Sequence, residues 1–572
     1  MSVETEKPDL RVFWESVQEE QPEPRQTKIR GEIPKWIEGS LYRNGPGLFE
    51  IGKDSFRHLF DGMALLHRYH IKDGQVTYQS QFLRSDSYNK NMAANRIVCT
   101  EFGTIGHPDP CRNIFQRMAS HFQVPTPGDN CMVNFMHRGD ELFALSESQY
   151  IRKINKETLD STKDDKINIS KYVAVNTATA HPHCTEDGTH FNLGSSVGVR
   201  CKYNIVKIEP PTDGAPDKRR WSVLCSILAS HRNPSYYHSF GMTENYIVFV
   251  EQPLFINVLK TVTSGIRRKS VDDWLEYRPR KKTLFHLVDR LTGEHVATKY
   301  AANAFLFFHQ INAYEEDGHV VVDLCCYDST EVIRRGYLES LRKGLSPSSG
   351  VEGRRFVLPL NVDKVWRTPD LVRECLKFLW RNVWSGVQIF NFRGANCLKI
   401  NRFILTSLIL CINDHFVLQG TDRRSDNLVT LPNTTCTAVI SRSGTVFCTP
   451  EKLSSEGFEM PQINYGSYNG KPYQYIYAVR GDCQGLIKVD VKNKTYKSWT
   501  EEGFVPSEPV FVEAPSAVCE DDGVVLSAVV NSDPDKPNFL VVLDGKDFTE
   551  IGRAEIDHQI PFGTHGLFLP NV

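Results

Sequence analysis

Four of the eighteen histidines have the setting expected of metal ligands. They are His181 in TATAHPH, His238 in PSYYHSFG, His309 in FFHQINAYEEDG and His565 in FGTHGLF. Separations of 57, 71 and 256 residues exclude a local metal loop, but strands from different blades of a propeller face one axis. Four neutral imidazoles suit iron, zinc or copper. The spacing alone leaves the metal open, and it leaves open that each is an ordinary core histidine.

Three glutamates stand among similarly apolar neighbours: Glu147 in LFALSESQY, Glu459 in FEMPQINY and Glu508 in PSEPVFV. A buried carboxylate costs free energy unless it is paired, and a ligating histidine normally donates its second ring nitrogen to a carboxylate. These glutamates are therefore candidates to orient the histidines, with surface exposure as the alternative for each. The glycine-rich RNGPG and HSFG lack a strand–GxGxxG–helix context, so no nucleotide site is predicted.

The elements that must position these residues are strands. Short β-branched or aromatic runs next to Gly, Asp or Asn turns recur from about residue 40 to the end, the signature of hairpins. They are KDGQVTYQSQFL, RGDELFALSES, EDGTHFNLGSS, TENYIVFVEQP, EDGHVVVDLCC, SRSGTVFCTP, DDGVVLSAVV and NFLVVLDGKDF. This pattern favours an all-β propeller or barrel over a βαβ protein.

The composition excludes several function classes. The 572 residues carry a formal charge of -2, so no nucleic-acid partner is expected. The fifteen cysteines form no CxxC pairs and are interpreted as reduced thiols. We expect no secretory signal in MSVETEKPDLRVFW, and no membrane span, because the longest apolar run, 403–412, is half the ~20 residues that a spanning helix needs.

One segment reads as an amphipathic helix. In CRNIFQRMASHF, 111–122, Ile114, Phe115, Met118 and Phe122 share one helical face and the polar residues lie elsewhere. Such a face could lie on a membrane or could pack against the core. Periodicity does not decide between the two.

These motifs together resemble the carotenoid cleavage oxygenase family. The histidine motifs occur in the family's order, together with RNGPG, LFDGMALLH, EFGT, PDPC, NAYEEDG, PSEPVFV and HGLF. The resemblance covers residues 33–570 apart from one segment. It implies an all-β, seven-bladed β-propeller, with a cap of loops and helices over an axial Fe(II), one per chain.

The resemblance also implies roles for single residues. His181, His238, His309 and His565 match the iron ligands, and no catalytic residue is expected beyond the metal site. Glu147, Glu459 and Glu508 match acceptors for His238, His309 and His565, respectively. By motif position, an aromatic substrate tunnel is expected to be lined by Phe60, Phe102, Tyr236, Phe308 and Tyr327.

A peripheral membrane surface is implied as well, because the segment after PDPC docks on membranes in the family. We expect docking by Cys111, Ile114, Phe115, Met118 and Phe122, and by a second segment, 254–269. There Leu254 and Phe255 precede a basic cluster, Arg267, Arg268 and Lys269, that could attract anionic lipid. The expected location is cytoplasmic, on an intracellular membrane.

The function implied is that of an Fe(II)-dependent dioxygenase that cleaves a double bond of β-carotene or a related carotenoid with O2, giving retinal or apocarotenals. NLVTLPNTTCTAV, ATAHPH and DLCC look more like the retinoid isomerohydrolase of the family, and PSYYHSFGMTENYIVF looks more like the carotene oxygenases. Tyr327 stands where the isomerohydrolase has tryptophan. The alternatives are therefore an isomerohydrolase that converts all-trans-retinyl ester to a cis-retinol, and an inactive carotenoid-binding protein.

The predicted organisation is an N-terminal extension, 1–32, followed by one propeller domain, 33–572. A segment at about 365–420 interrupts it, between RRFVLPLNVDK and SDNLVTLPNTT, which the family joins by a few residues. This segment is either a surface excursion or an unspliced stretch of the gene model. We favour the second and expect poor packing there.

Overall fold

A computed structural model describes residues 10–113, 115–116, 128–210, 220–362, 426–533 and 535–571. All eight segments predicted as strands contain strands. The described α-helices are short and lie in connections between strands: Asp86–Ala94, Val258–Arg267, Glu331–Arg335, Leu338–Leu341 and Tyr465–Tyr468. The described 3-10 helices are Leu10–Trp14, Leu59–Asp61, Lys163–Asp165, Ile169–Lys171 and Val271–Trp274. None of these helices has the length and apolar character of a membrane span.

Seven sheets form the blades of a propeller, which confirms the predicted fold class. Blade 1 contains Gln21–Gln26, Gly39–Arg43, Pro46–Leu48, Met63–Lys72, Gln75–Phe82 and Gly566–Pro570. Blade 2 contains Asn134–Arg138, Glu141–Leu145, Tyr150–Ile154 and Lys166–Asn168. Blade 3 contains Thr177–Ala178, His183–Cys184, His190–Ser196, Lys202–Ile208 and Trp221–Leu228.

The chain continues around the axis. Blade 4 contains Gly241–Met242, Tyr246–Glu251, Thr283–Asp289, Tyr300–Ala302, Thr437–Ile440 and Val446–Thr449. Blade 5 contains Leu306–Glu316, His319–Tyr327, Glu352–Pro359 and Glu451–Lys452. Blade 6 contains Phe458–Gln462, Tyr475–Arg480, Leu486–Asp490 and Thr495–Trp499. Blade 7 contains Lys28–Gly31, Phe504–Pro506, Val510–Glu513, Gly523–Asn531, Asn538–Asp544 and Glu550–Ile556. Two small ribbons add Glu50–Ile51 with Asp54–Ser55, and Leu254–Ile256 with Leu275–Tyr277.

The core lies between the blades. Seven hydrophobic clusters each join two neighbouring blades around the ring. A middle strand is therefore covered on both faces, and His319–Tyr327 is buried at every position. This burial explains why such strands read as continuous apolar runs instead of alternating ones.

Inner strands of neighbouring blades contact each other around the axis. Leu306–Glu316 of blade 5 contacts both Gly241–Met242 of blade 4 and Phe458–Gln462 of blade 6. Gly566–Pro570 of blade 1 contacts Asn134–Arg138 of blade 2 and Val510–Glu513 of blade 7. Residues far apart in the chain thus meet at the centre of the ring.

Strands near both ends of the described chain close the ring, and two of them precede the predicted domain boundary at residue 33. Gln21–Gln26 pairs with blade 1 and Lys28–Gly31 with blade 7, so these two strands are part of the propeller. The sequence QPEPRQ has two prolines and no apolar alternation, which is tolerated because the strand lies at a sheet edge. The segment predicted as an insertion, 365–420, lies outside the described residues.

Candidate metal centre

Each candidate histidine lies at the axial end of its blade. His181 lies between Thr177–Ala178 and His183–Cys184, and His238 shortly precedes Gly241–Met242. His309 belongs to Leu306–Glu316, where the pairing register shifts, and His565 directly precedes Gly566–Pro570. A shift of this kind marks a β-bulge, which re-aims a side chain out of the regular alternation.

The four imidazoles converge on one point. The ligand nitrogens of His181, His238, His309 and His565 all lie within 4.8 Å of one another. Nε2 of His238 lies 2.9 Å from Nε2 of His181 and 3.2 Å from that of His309. Nε2 of His309 lies 3.3 Å from that of His565. For metal–nitrogen bonds of about 2.1 Å, two ligands at right angles stand about 3.0 Å apart, so these spacings fit a metal ion.

Each of the three glutamates lies against the histidine with which the family resemblance pairs it. Glu147 Oε1 lies 2.5 Å from Nδ1 of His238. Glu459 Oε2 lies 2.6 Å from Nδ1 of His309, and Glu508 Oε1 lies 2.8 Å from Nδ1 of His565. Glu459 lies at a second register shift, with Met460 next to it at φ 54°. Bulges therefore aim both members of the His309 pair inward.

These hydrogen bonds determine which ring nitrogen of each paired histidine carries the proton. A carboxylate only accepts, so Nδ1 of each paired imidazole holds the proton and Nε2 of the neutral ring carries the lone pair. His309 Nε2 then faces the lone pairs of His238 and His565 at 3.2 and 3.3 Å. Lone pairs at this distance repel each other unless a cation lies between them. The arrangement of the four histidines therefore fits a metal site.

Burial and neighbouring charges shift the pKa of three of the histidines and of two of the glutamates. Burial and the neighbouring imidazoles lower the pKa of His181 well below its ordinary value. Burial lowers the pKa of His565, although Glu508 opposes this. At His309 burial acts in the same direction, but the charge and hydrogen bond of Glu459, together with the charges of Glu508 and Glu147, outweigh it and raise the pKa. Burial would raise the pKa of Glu459 and Glu508, yet their histidine partners hold both below the ordinary value. Both carboxylates are therefore ionised at neutral pH.

An outer layer of donors holds each carboxylate in place. The Tyr236 hydroxyl donates to Glu147 at 3.0 Å and the Tyr327 hydroxyl donates to Glu459 at 3.1 Å. Gln462 Nε2 donates to Glu508 at 2.9 Å.

Arg43 is a further residue that lies close to one of these carboxylates, Glu508. The Arg43 guanidinium, which is buried, lies 4.0 Å from a Glu508 oxygen and donates to the Glu508 and Thr564 carbonyls. Sequence reasoning missed Gln462 and Arg43 as parts of the site. Both stand inside motifs already noted, FEMPQ and RNGPG, which was the available signal.

The five aromatic residues predicted as a tunnel are contiguous in the structure. Phe308 lies at their centre, with ring centroids 6.3 Å from Phe60, 6.2 Å from Tyr236 and 6.1 Å from Tyr327. Phe102 joins the set through Phe60 at 5.5 Å. The Phe308 ring lies 5.7 Å from that of His238, so this aromatic wall begins at the metal site.

The residues predicted for membrane docking have mixed outcomes. Cys111 and Phe115 are exposed, Phe115 at 79%, whereas Ile114, Met118 and Phe122 lie outside the described residues. Leu254 and Phe255 are wrong as docking residues, because they are 3% and 4% exposed. They belong to the ribbon Leu254–Ile256, whose side chains pack inward; the Phe255 ring lies 4.7 Å from that of His231. The exposed apolar residues of this segment follow on the helix Val258–Arg267: Leu259, Val262 and Ile266.

Removing one outer donor tests this layered arrangement. Tyr327→Phe keeps the aromatic ring and loses the donor to Glu459. A hydrogen bond to a charged group contributes about 1.5 kcal/mol or more, so we expect the metal affinity to fall about tenfold. Chelator competition measures this. Tyr473→Phe is the matched control, because the Tyr473 hydroxyl also donates to a buried carboxylate, Asp323, away from the centre. An equal loss in both variants would contradict a role for Tyr327 at the metal.

Comparison with known proteins gives the following matches. The model of the retinal pigment epithelial membrane protein family matches residues 14–570. The chain is 41% identical to the mitochondrial carotenoid-cleaving dioxygenase of Pongo abelii, over 96% of this chain and 93% of that protein. It is 39% identical to the beta,beta-carotene 15,15'-dioxygenase of Homo sapiens, over 98% and 95%.

Solved structures share the fold. A Glu150Asp mutant of Synechocystis apocarotenoid oxygenase covers 98% of both chains with a TM-score of 0.70 at 21% identity. Cobalt-substituted Synechocystis ACO covers 98% of both chains with a TM-score of 0.70 at 20% identity.

Proposed function

Since the chain belongs to the retinal pigment epithelial membrane protein family, we propose that it is an Fe(II)-dependent dioxygenase that cleaves a carotenoid double bond. The proposed substrate is β-carotene or a related carotenoid, with O2 as the second substrate and retinal or apocarotenals as products. One observation carries the proposal: a centre of four imidazoles, three of them backed by carboxylates, opens onto an aromatic wall.

The ligand set supports iron at this centre, one ion per chain. Four neutral nitrogen ligands without thiolate suit a first-row metal, and six-coordinate iron would keep two positions open. When bound, the iron would supply the activation of dioxygen. A cobalt-substituted structural neighbour shares the fold, which supports a metal in a protein of this fold.

The residues of the chain would do the remaining work. Glu147, Glu459 and Glu508 accept the Nδ1–H hydrogen bonds of His238, His309 and His565 and so keep these imidazoles oriented. Phe308 and its aromatic neighbours would bury the apolar polyene next to the centre, exclude water from it, and stabilise positive charge that develops along it. Cleavage of a carbon–carbon double bond by O2 into two carbonyl groups places both oxygen atoms in the products. The reaction therefore needs no net proton transfer.

Product analysis tests the proposal. Purified, iron-analysed protein in detergent is incubated with β-carotene, with and without O2, and the products are identified by chromatography and mass spectrometry. Aldehydes that form only with O2 are expected, and their chain length locates the cleaved bond. An iron-loaded protein that yields no aldehyde would overturn the proposal. A cis-retinol formed from all-trans-retinyl ester would then indicate an isomerohydrolase, and bound carotenoid without any product would indicate a binding protein.

We also propose that the protein is cytoplasmic and docks peripherally on an intracellular membrane through the helix Val258–Arg267. Leu259, Val262 and Ile266 share one face and are 70%, 51% and 66% exposed. Arg267, Arg268 and Lys269 follow directly and are exposed. Apolar insertion beside basic residues is the usual pairing for an interfacial helix.

Charge placed on this face tests the docking proposal. The double variant Leu259→Asp with Ile266→Asp is expected to reduce binding to phosphatidylcholine–phosphatidylserine vesicles about tenfold or more, because each carboxylate must enter the interface. Flotation of the vesicles measures the bound fraction. Val518→Asp is the control, because Val518 is an apolar residue elsewhere that is even more exposed, at 87%. Unchanged flotation of the double variant would exclude this helix as the docking element.

A further inference from the structure

Two further imidazoles face each other in blade 4, away from the four imidazoles of the axial centre. His286 belongs to the strand Thr283–Asp289, and His295 forms a bridge with Val288 of the same strand. The turn between them is closed by backbone hydrogen bonds, Asp289 N to Glu294 O at 2.9 Å and Val296 N to Leu287 O at 2.8 Å. Positions 286 and 288 share one face of the strand, so the two imidazoles are diagonal neighbours on a closed hairpin.

A buried carboxylate fixes the first of these imidazoles. Glu251, on the adjacent strand Tyr246–Glu251, is 2% exposed, and its Oε2 lies 3.1 Å from Nε2 of His286. The other carboxylate oxygen accepts from the Tyr203 hydroxyl at 2.9 Å and from the Ser230 backbone and hydroxyl at 3.0 and 2.9 Å. The Phe249 ring stacks on that of His286 at 5.5 Å. The imidazole is therefore held in orientation by both hydrogen bonding and packing.

The carboxylate also sets the tautomer of His286. Three donors, the Tyr203 hydroxyl and the Ser230 backbone and hydroxyl, point at Oε1 of Glu251, an environment that favours the ionised carboxylate. An ionised Glu251 only accepts, so His286 Nε2 carries the proton and Nδ1 carries the lone pair. The same carboxylate–histidine arrangement orients the ligands of the axial centre.

The free lone pair faces a second imidazole. His286 Nδ1 lies 3.3 Å from Nε2 of His295, the spacing between His309 and His565 in the axial centre. Without a metal, His295 can donate its Nε2 proton across this gap, so metal binding requires only that this proton move to Nδ1 of the same ring, which stays neutral. His295 is exposed, which leaves the remaining coordination positions to water.

We propose that His286 and His295, backed by Glu251, form a second metal site that binds Zn(II). Two neutral imidazoles with a carboxylate behind one of them suit a late first-row divalent ion, and water can complete a tetrahedral zinc shell. A bound ion would tie the 289–295 hairpin to the strand Thr283–Asp289 and, through Glu251, to the next strand of blade 4.

Zinc binding to the iron-loaded full chain tests the proposal. Calorimetric titration with Zn(II) is expected to show one ion per chain while the iron content stays constant. X-ray absorption at the zinc edge, which is blind to iron, is expected to show two imidazole ligands. His295→Ala should weaken the binding at least tenfold and remove one imidazole from the zinc spectrum. Glu251→Gln should weaken it about 10- to 100-fold, the usual effect of losing a carboxylate partner.

His558→Ala is the control, because it removes a histidine outside the pair and should leave zinc binding unchanged. Since His295 is exposed, His295→Ala is expected to fold, and its unchanged iron content and circular dichroism would show that it does. No zinc binding at constant iron content, binding that His295→Ala leaves intact, or a zinc spectrum with four imidazoles would each overturn the proposal.

Discussion

The variant His309→Ala is expected to lose carotenoid cleavage to below one part in a thousand of the wild-type rate and to bind no stoichiometric iron. His309 is the central ligand of the axial site, because its Nε2 lies next to those of both His238 and His565. Its loss also leaves the buried Glu459 without its imidazole partner. Iron analysis of the purified variant and the rate of aldehyde formation measure the two effects.

A buried histidine on the same hairpin provides the control. His319 is 4% exposed, and within the described residues its ring bonds to backbone groups of residues 317, 428 and 430. His319→Gln is expected to keep its iron and its activity even if the thermal midpoint falls. A His309→Ala protein that retains cleavage, or a His319→Gln protein that loses iron equally, would contradict the assignment of the ligands.

The second large effect is expected from the carboxylates, and it should be graded by burial. Glu508→Gln removes the charge that faces His565 and Arg43, both of which are buried. Losing such a partner typically costs 10- to 100-fold in metal affinity. The Glu147 side chain is 30% exposed, so water can replace part of its role, and Glu147→Gln should cost less than Glu508→Gln.

Chelator competition measures this order of iron affinities. Excess Fe(II) should restore much of the activity of Glu508→Gln, because weaker binding can be offset by concentration. An unfolded protein would not recover, so recovery separates a weakened site from a lost fold. Equal affinities in the two variants, or the reverse order, would show that the carboxylates do not act on the metal through their histidines.

The sequence predicts the strands well and the geometry between them poorly. Segments such as EDGHVVVDLCC and DDGVVLSAVV carry local turn chemistry and β-branched residues, and each contains a strand. The ring of seven blades follows from long-range packing, which local patterns do not encode. The prediction of seven blades therefore rested on the family resemblance.

The candidate site, too, was predicted from the sequence only in part. The three glutamates were candidates because a charge among apolar neighbours needs a partner, and each lies against a histidine. Gln462 and Arg43 were missed, because neither an amide nor an arginine signals which carboxylate it will meet. Leu254 and Phe255 were assigned to the surface because hydropathy does not separate a buried ribbon from an exposed helix three residues later.

The most direct test of an iron centre at the four histidines is an Fe(II) titration of metal-free protein with O2-dependent carotenoid cleavage as the readout. Activity is expected to rise linearly and to stop at one Fe(II) per chain. Zn(II) bound at the same four histidines is expected not to restore it, because zinc has no redox chemistry. Cleavage by the metal-free protein, or equal restoration by Zn(II), would contradict an iron centre at His181, His238, His309 and His565.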